Sequence, residues 1–251
     1  MIGSNSQIKC FVIFFQGRVG STYLIEIMAS HPEIFAVGEK FHDRRKNPAV
    51  QLAAMREFLI PTNVQGYRAI GFKTKLHDVG DPKGLAKLLR EQRAYLIYLG
   101  RRNRVKHAIS WIMAHHLYQT TGDWNLYKHE DRPAATAISP TDFQTSLKWV
   151  EERNQALIDY VMSLELPTLS LYYEDLLTNE QENIRLALSF LGVQPLAEKG
   201  NAIKVTDDDL RNVLVNFEEL RSFYAGTRYE QMFDEIILSR EPTGQSVSSV
   251  K

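Results

Sequence analysis

Apolar residues run without alternation through 8–15 (IKCFVIFF), the pattern of a strand covered on both faces. A short turn, QGRVGS, follows. TYLIEIMAS then reads as a helix that stops before Pro32, because the residue ahead of a proline disfavours the α region. The same succession recurs along the chain. Apolar runs at 34–37, 68–72 and 94–100 and the segment PTLSLYYEDLL predict further strands, while 50–59, 82–93, 101–118, 141–164 and 179–191 predict helices. Leu85, Leu88 and Leu89 share one helical face, and Leu147, Val150, Leu157 and Val161 another. Residues 119–140 are polar and rich in turn formers, which predicts a long loop, and 241–251 predict a loose tail.

Strands followed repeatedly by helices imply an α/β fold of three layers, a central parallel sheet with helices on both faces, in a single domain spanning 1–240. Ligands in such folds sit at the carboxyl ends of the strands. Three segments therefore share one rim: 16–22, 73–76 and 101–110.

Composition narrows the class. The 251 residues can bury a full core. Thirty basic residues against thirty acidic ones speak against a general nucleic-acid coat, which needs a basic excess to displace counterions. One cysteine, Cys10, forms no internal disulfide. No apolar run reaches 18 residues, and the first is too short for a signal-peptide core, so the expectation is a soluble cytoplasmic protein. There is no HExxH and no Cys/His ligand set, so no metal is expected.

The turn QGRVGST joins a buried strand to a helix. Its glycines, Gly17 and Gly20, permit close backbone approach, and the free N–H groups of the following helix favour a phosphate-like anion. Arg18 adds a charge, and Ser21 and Thr22 add hydroxyls. The bland reading is a plain connection with Ser21 as the helix cap. GxxxxGK[ST] is absent, since no lysine precedes Ser21, which counts against a magnesium–triphosphate site. A second basic cluster, Arg101, Arg102, Arg104 and Lys106, follows a central strand, with Ser110 eight residues after Arg102. Arginine forks suit bidentate phosphate recognition, whereas cations at a helix start oppose its dipole. Such a conflict between sequence and local preference often marks a functional site.

Together these segments resemble the sulfotransferases that use 3′-phosphoadenosine 5′-phosphosulfate (PAPS), in the carbohydrate and Stf0-like branch with its P-loop NTPase-like architecture. GRVGST resembles that family's 5′-phosphosulfate loop, RNRVKHAIS its 3′-phosphate motif, and YYEDLL its later YEDL strand exit. The resemblance implies that Gly17, Arg18, Val19, Gly20, Ser21 and Thr22 cradle the 5′ end of PAPS, and that Arg102 and Ser110 hold the 3′-phosphate. Val19 departs from the loop's usual serine, and Arg104 from the motif's proline. HPEIFAVGEKF resembles the family's HPxI…GE stretch, which makes Glu39 the candidate base, with His42 as the alternative. Lys73 in IGFKTKL aligns with the GxK segment and is the candidate for stabilising the sulfuryl or leaving oxygens. Lys75 is its competitor, expected on the opposite face. Arg18 joins Glu39 and Lys73 as a catalytic candidate.

The implied function is transfer of a sulfuryl group to a hydroxyl of a carbohydrate, glycolipid or small metabolite by in-line displacement, with no nucleic-acid partner and no metal. An atypical P-loop kinase or NTPase and a non-catalytic phosphate- or RNA-binding module are the alternatives. Phe41, Trp111, Trp124 and Tyr127 are aromatic candidates for an acceptor pocket, and His115–His116 belong to its loop or to nothing. The C-terminal stretch with Arg221 and Arg228 reads equally as a nucleotide lid or as a packed final helix.

Overall fold

The computed structural model describes residues 8–60, 66–124, 126, 132–194 and 207–237. The predicted tail at 241–251 and Tyr127 lie outside them. Five strands, β1 (Lys9–Phe15), β2 (Ile34–Val37), β3 (Ala69–Thr74), β4 (Tyr95–Gly100) and β5 (Thr168–Tyr172), form one sheet in the order β2-β3-β1-β4-β5. Every pairing is parallel. β1 lies at the centre, and the chain passes first to one side of it and then to the other. That reversal opens the crevice at its carboxyl end.

Alternation along β1 assigns the two faces. Cys10, Val12 and Phe14 pack with Met55 of α2 (Pro48–Leu59), Leu85 and Leu88 of α3 (Pro82–Glu91) and Leu157 and Val161 of α5 (Pro140–Ser163). Phe11, Ile13 and Phe15 point the other way, onto Leu24 and Met28 of α1 (Ser21–Ser30) and Leu188 and Leu191 of α7 (Glu180–Leu191). Each fully buried Leu, Ile or Phe contributes roughly 1.5–3 kcal/mol of transfer free energy, so a strand apolar on both faces is committed to the middle layer. Cys10 is a buried thiol pushed up to about 11 by desolvation, and it donates to the Leu59 carbonyl.

A third core has α4 (Arg104–Thr121) as its base. Val105, Ile109 and Met113 meet Phe143 and Val150 of α5 and, from the C-terminal segment, Leu210, Phe217 of α8 (Phe217–Phe223) and Phe233 of α9 (Glu230–Asp234). The C-terminal segment thus packs as helices. Arg221 pairs with Asp234 and Arg228 with Glu151. α4 extends to Thr121, three residues into the segment expected as loop, and Phe41 is buried among Phe58 and Phe72 rather than lining a pocket. The YEDL stretch leaves β5 as a short helix, α6 (Tyr173–Thr178).

Gly71 in β3 shows how tightly the layers meet. A Cβ there would collide with the Phe11 carbonyl and lie 2.5 Å from its ring. Gly71→Ala should therefore destabilise the fold by about 1–3 kcal/mol, read as a lower urea midpoint at unchanged slope.

Candidate anion-binding site at the strand rim

The β1–α1 turn, residues 16–20, is built on two left-handed residues, Arg18 (φ 71°) and Gly20 (φ 79°). Gly20 is required twice over. Its φ suits a residue without Cβ, and an added Cβ would sit 3.1 Å from the Tyr173 ring. Gly20 also holds the N-cap position of α1, with no side-chain cap, so the bland reading of Ser21 as the cap is wrong: Ser21 is already helical. The first N–H groups of α1 therefore lack the usual side-chain acceptor, which leaves them available to an anion.

Lys73 reaches this end from β3. Its Nζ donates to the Ser21 hydroxyl at 3.3 Å and the Thr22 hydroxyl at 3.0 Å, and lies 3.4 Å from Glu39 Oε1. The side chain is only 6% exposed. Burial first of all, with Lys75 adding to it, pulls its pKa below the ordinary lysine value against the opposing pull of Glu39. Lys75 grips the other Glu39 oxygen and lies 3.2 Å from Asp78. Lys75 does not face away from Lys73. Residues two apart along an extended chain return to the same face, and both ammonium groups flank one carboxylate. His42 turns instead to the buried Asp78, at 2.9 Å, and that carboxylate also receives Arg45.

The second basic cluster divides. Arg102 lies over the Tyr172 ring and places both fork nitrogens 2.6 Å from the Asp175 carboxylate. That hydrogen bond is the first cause of its raised pKa. Glu174 accepts the backbone N–H groups of Arg102 and Asn103, and Asn103 caps α4 by accepting from Lys106 N. The cations expected to oppose the α4 dipole are thus offset by two acidic residues of the YEDL segment.

Arg101, one residue earlier, points the opposite way. It is 5% exposed, donates Nη1–H to the Arg18 carbonyl at 3.3 Å and covers the Tyr173 ring at 4.6 Å. Its Nε is buried without a partner among the described residues. Sequence reasoning grouped Arg101 with the cluster and singled out its neighbour. Strand alternation was the signal that separates them, since consecutive residues leaving β4 face opposite sides.

α4 lies along the turn. His107 Nε2 is 2.7 Å from the Gly17 carbonyl, and the Trp111 ring is 3.4 Å from where a Gly17 Cβ would be. Ser110, buried on the same helix, falls three residues from His107 and so shares its face. Arg18 donates Nη1–H to the Trp124 carbonyl at 2.8 Å, and burial, then Arg101, pull its pKa down to about 10. The Trp124 ring stacks on Tyr118 at 4.6 Å, beside Trp111 and His115, and Trp111 stacks on Trp149. Contacts therefore join the turn to Lys73, Glu39, Lys75, Arg101 and His107, while Ser110 shares the His107 face of α4, Arg102 turns to Asp175 and His42 to Asp78.

The chain is 24% identical over 247 residues to Nodulation protein H of Rhizobium tropici, a match covering 93% of this chain and 96% of that protein. Among solved structures, it resembles a sulfotransferase from Alicyclobacillus acidocaldarius with a TM-score of 0.51 at 18% identity, over 91% of this chain and 97% of the other. A sulfotransferase domain from the curacin biosynthetic pathway gives 0.47 at 14% identity, over 94% and 93% of the two chains. No protein-family model matches the chain.

His107 yields a pH prediction. Burial, followed by the charge of Arg101, pushes its pKa from 6.5 down to about 3, so the folded imidazole is neutral. Between these values only the unfolded chain takes up the proton. Its contribution to stability is therefore complete above pH 6.5 and is lost as pH falls towards 3. His77, also lowered by burial, acts in the same direction. The melting temperature of the wild type should drop across this window, and His107→Gln should flatten the drop.

Proposed function

We propose that this chain, which has the sulfotransferase fold, is a PAPS-dependent sulfotransferase acting on a hydroxyl of a carbohydrate, glycolipid or small metabolite. One observation carries the reading. A buried ammonium, Lys73, joins the two hydroxyls at the uncapped start of α1 to a carboxylate, Glu39, on the strand rim. Anion donors and a proton acceptor are thereby adjacent, the pairing that sulfuryl transfer to an alcohol needs.

The residues fit a donor with a terminal phosphosulfate. Gly17 to Thr22 surround its 5′ end with backbone N–H groups and hydroxyls, and Arg18 and the buried Arg101 add guanidinium charge. Ser110 and Arg102 are the candidates for its 3′-phosphate. Arg102 would exchange its Asp175 partner for the phosphate, one bidentate acceptor for another. Glu39 takes the acceptor's proton as its oxygen bonds to sulfur. The bond from sulfur to the 5′-phosphate oxygen breaks in line, and Lys73 stabilises the charge developing on that oxygen. Positioning and fixed charge supply most of the barrier reduction.

Calorimetry with adenosine 3′,5′-bisphosphate (PAP) should show binding to the wild type and a loss of about tenfold or more in Lys73→Met, Arg101→Met and Arg102→Ala. No binding by the wild type would end the proposal. Glu39→Gln should bind PAP normally yet lose about a hundredfold or more in PAPS turnover across an acceptor panel; full turnover removes Glu39 as the base.

A further inference from the structure

We propose that His107 is a positioning residue for the anion-binding turn: by donating Nε2–H to the Gly17 carbonyl, it sets the peptide plane that aims the Arg18 N–H at the donor's 5′ end. The inference rests on the sulfotransferase reading for the identity of the anion, though not for the geometry.

The argument starts from the peptide group. Its C=O and N–H are antiparallel across a trans bond, so pinning the Gly17 carbonyl towards α4 turns the Arg18 N–H the other way. Arg101 does the same one residue on, where its Nη1 holds the Arg18 carbonyl at 3.3 Å and so orients the Val19 N–H. Two successive carbonyls are thus drawn out of the turn, one by a side chain of α4 and one by a side chain of the β4–α4 connection. The N–H groups of the same peptides face the other way, on the concave side that left-handed residues such as Arg18 and Gly20 help to shape. A peptide free to flip would instead present a carbonyl oxygen to an incoming oxyanion.

His107 suits this task. It is fully buried, and the Gly17 carbonyl is only an acceptor, so the proton resides on Nε2. Nδ1 then carries a bare lone pair, buried and without a partner among the described residues. A leucine would fill similar space at that point without the unmet acceptor. The histidine is explained by the one bond it makes.

The test compares His107→Gln, His107→Asn and His107→Leu. Glutamine's amide nitrogen can take the place of Nε2, whereas asparagine's falls short of it. Two nucleotides separate a local from a general effect: PAP, and adenosine 3′-monophosphate, which lacks the 5′-phosphate. Calorimetry should show PAP affinity reduced about tenfold in the Leu and Asn variants and restored to within about twofold by Gln. Affinity for adenosine 3′-monophosphate should stay unchanged in all three. Equal loss for both nucleotides would reveal a merely structural histidine and overturn the inference, as would unchanged PAP binding in the Leu variant. Sulfate provides a readout without nucleotide. It should raise the melting temperature of the wild type and the Gln variant by mass action, and not that of the Leu variant. A wild type that responds to sulfate but not to PAP would overturn the proposed donor and leave this inference standing, whereas no response of the wild type to either anion would overturn both.

Discussion

Burying positive charge beside a helix N-terminus costs free energy, because the desolvated ammonium of Lys73 and the dipole of α1 carry the same sign at that point. The fold tolerates this through Glu39, which faces both Lys73 and Lys75, and through the hydroxyls of Ser21 and Thr22. The start of α4 shows the other solution. There Glu174 accepts two backbone N–H groups and Asp175 neutralises Arg102, so that end is satisfied from within the protein. The N-termini of α1 and α4 lie on one rim, and the protein's own acids engage the start of α4. That asymmetry supports the proposal that the 5′ end of the donor is held at α1.

The open start of α1 adjoins a turn whose Gly17 and Arg18 carbonyls are already engaged. His107 and Arg101 hold two of its carbonyls, and Tyr173 packs against Gly20. Arg101 comes from the β4–α4 connection, His107 from α4 and Tyr173 from the start of α6, so the cradle is shaped by neighbouring elements as much as by its own residues. α4 serves two purposes. One side of it builds the third core with α5 and the C-terminal helices, and another side presents His107, Ser110 and Trp111 to the turn. Packing that core fixes the helix in place, and the fixed helix sets the peptide groups that an anion would meet.

Much of this was legible in the chain. The uninterrupted apolar run of β1, the glycine turn and the helix after it implied a central strand with an anion-binding connection, because a strand buried on both faces requires both registers to be apolar. Element order then placed 16–22, 73–76 and 101–110 on one rim. Side-chain direction at the strand ends was harder to read. Lys75 shares Lys73's partner, Arg101 rather than Arg102 enters the turn, and Phe41 belongs to the core.

Local pattern therefore determined the layers, the parallel order and the location of the site, since burial on one or two faces is written in periodicity. The tertiary structure alone decided which charges pair and which remain turned inward. Glu39 meets two lysines more than 30 residues away, Asp175 closes on Arg102 across 73 residues, and His107 finds a carbonyl 90 residues earlier. Such pairings depend on directions and distances set by packing, and residues so far apart in sequence carry no local periodicity that records them.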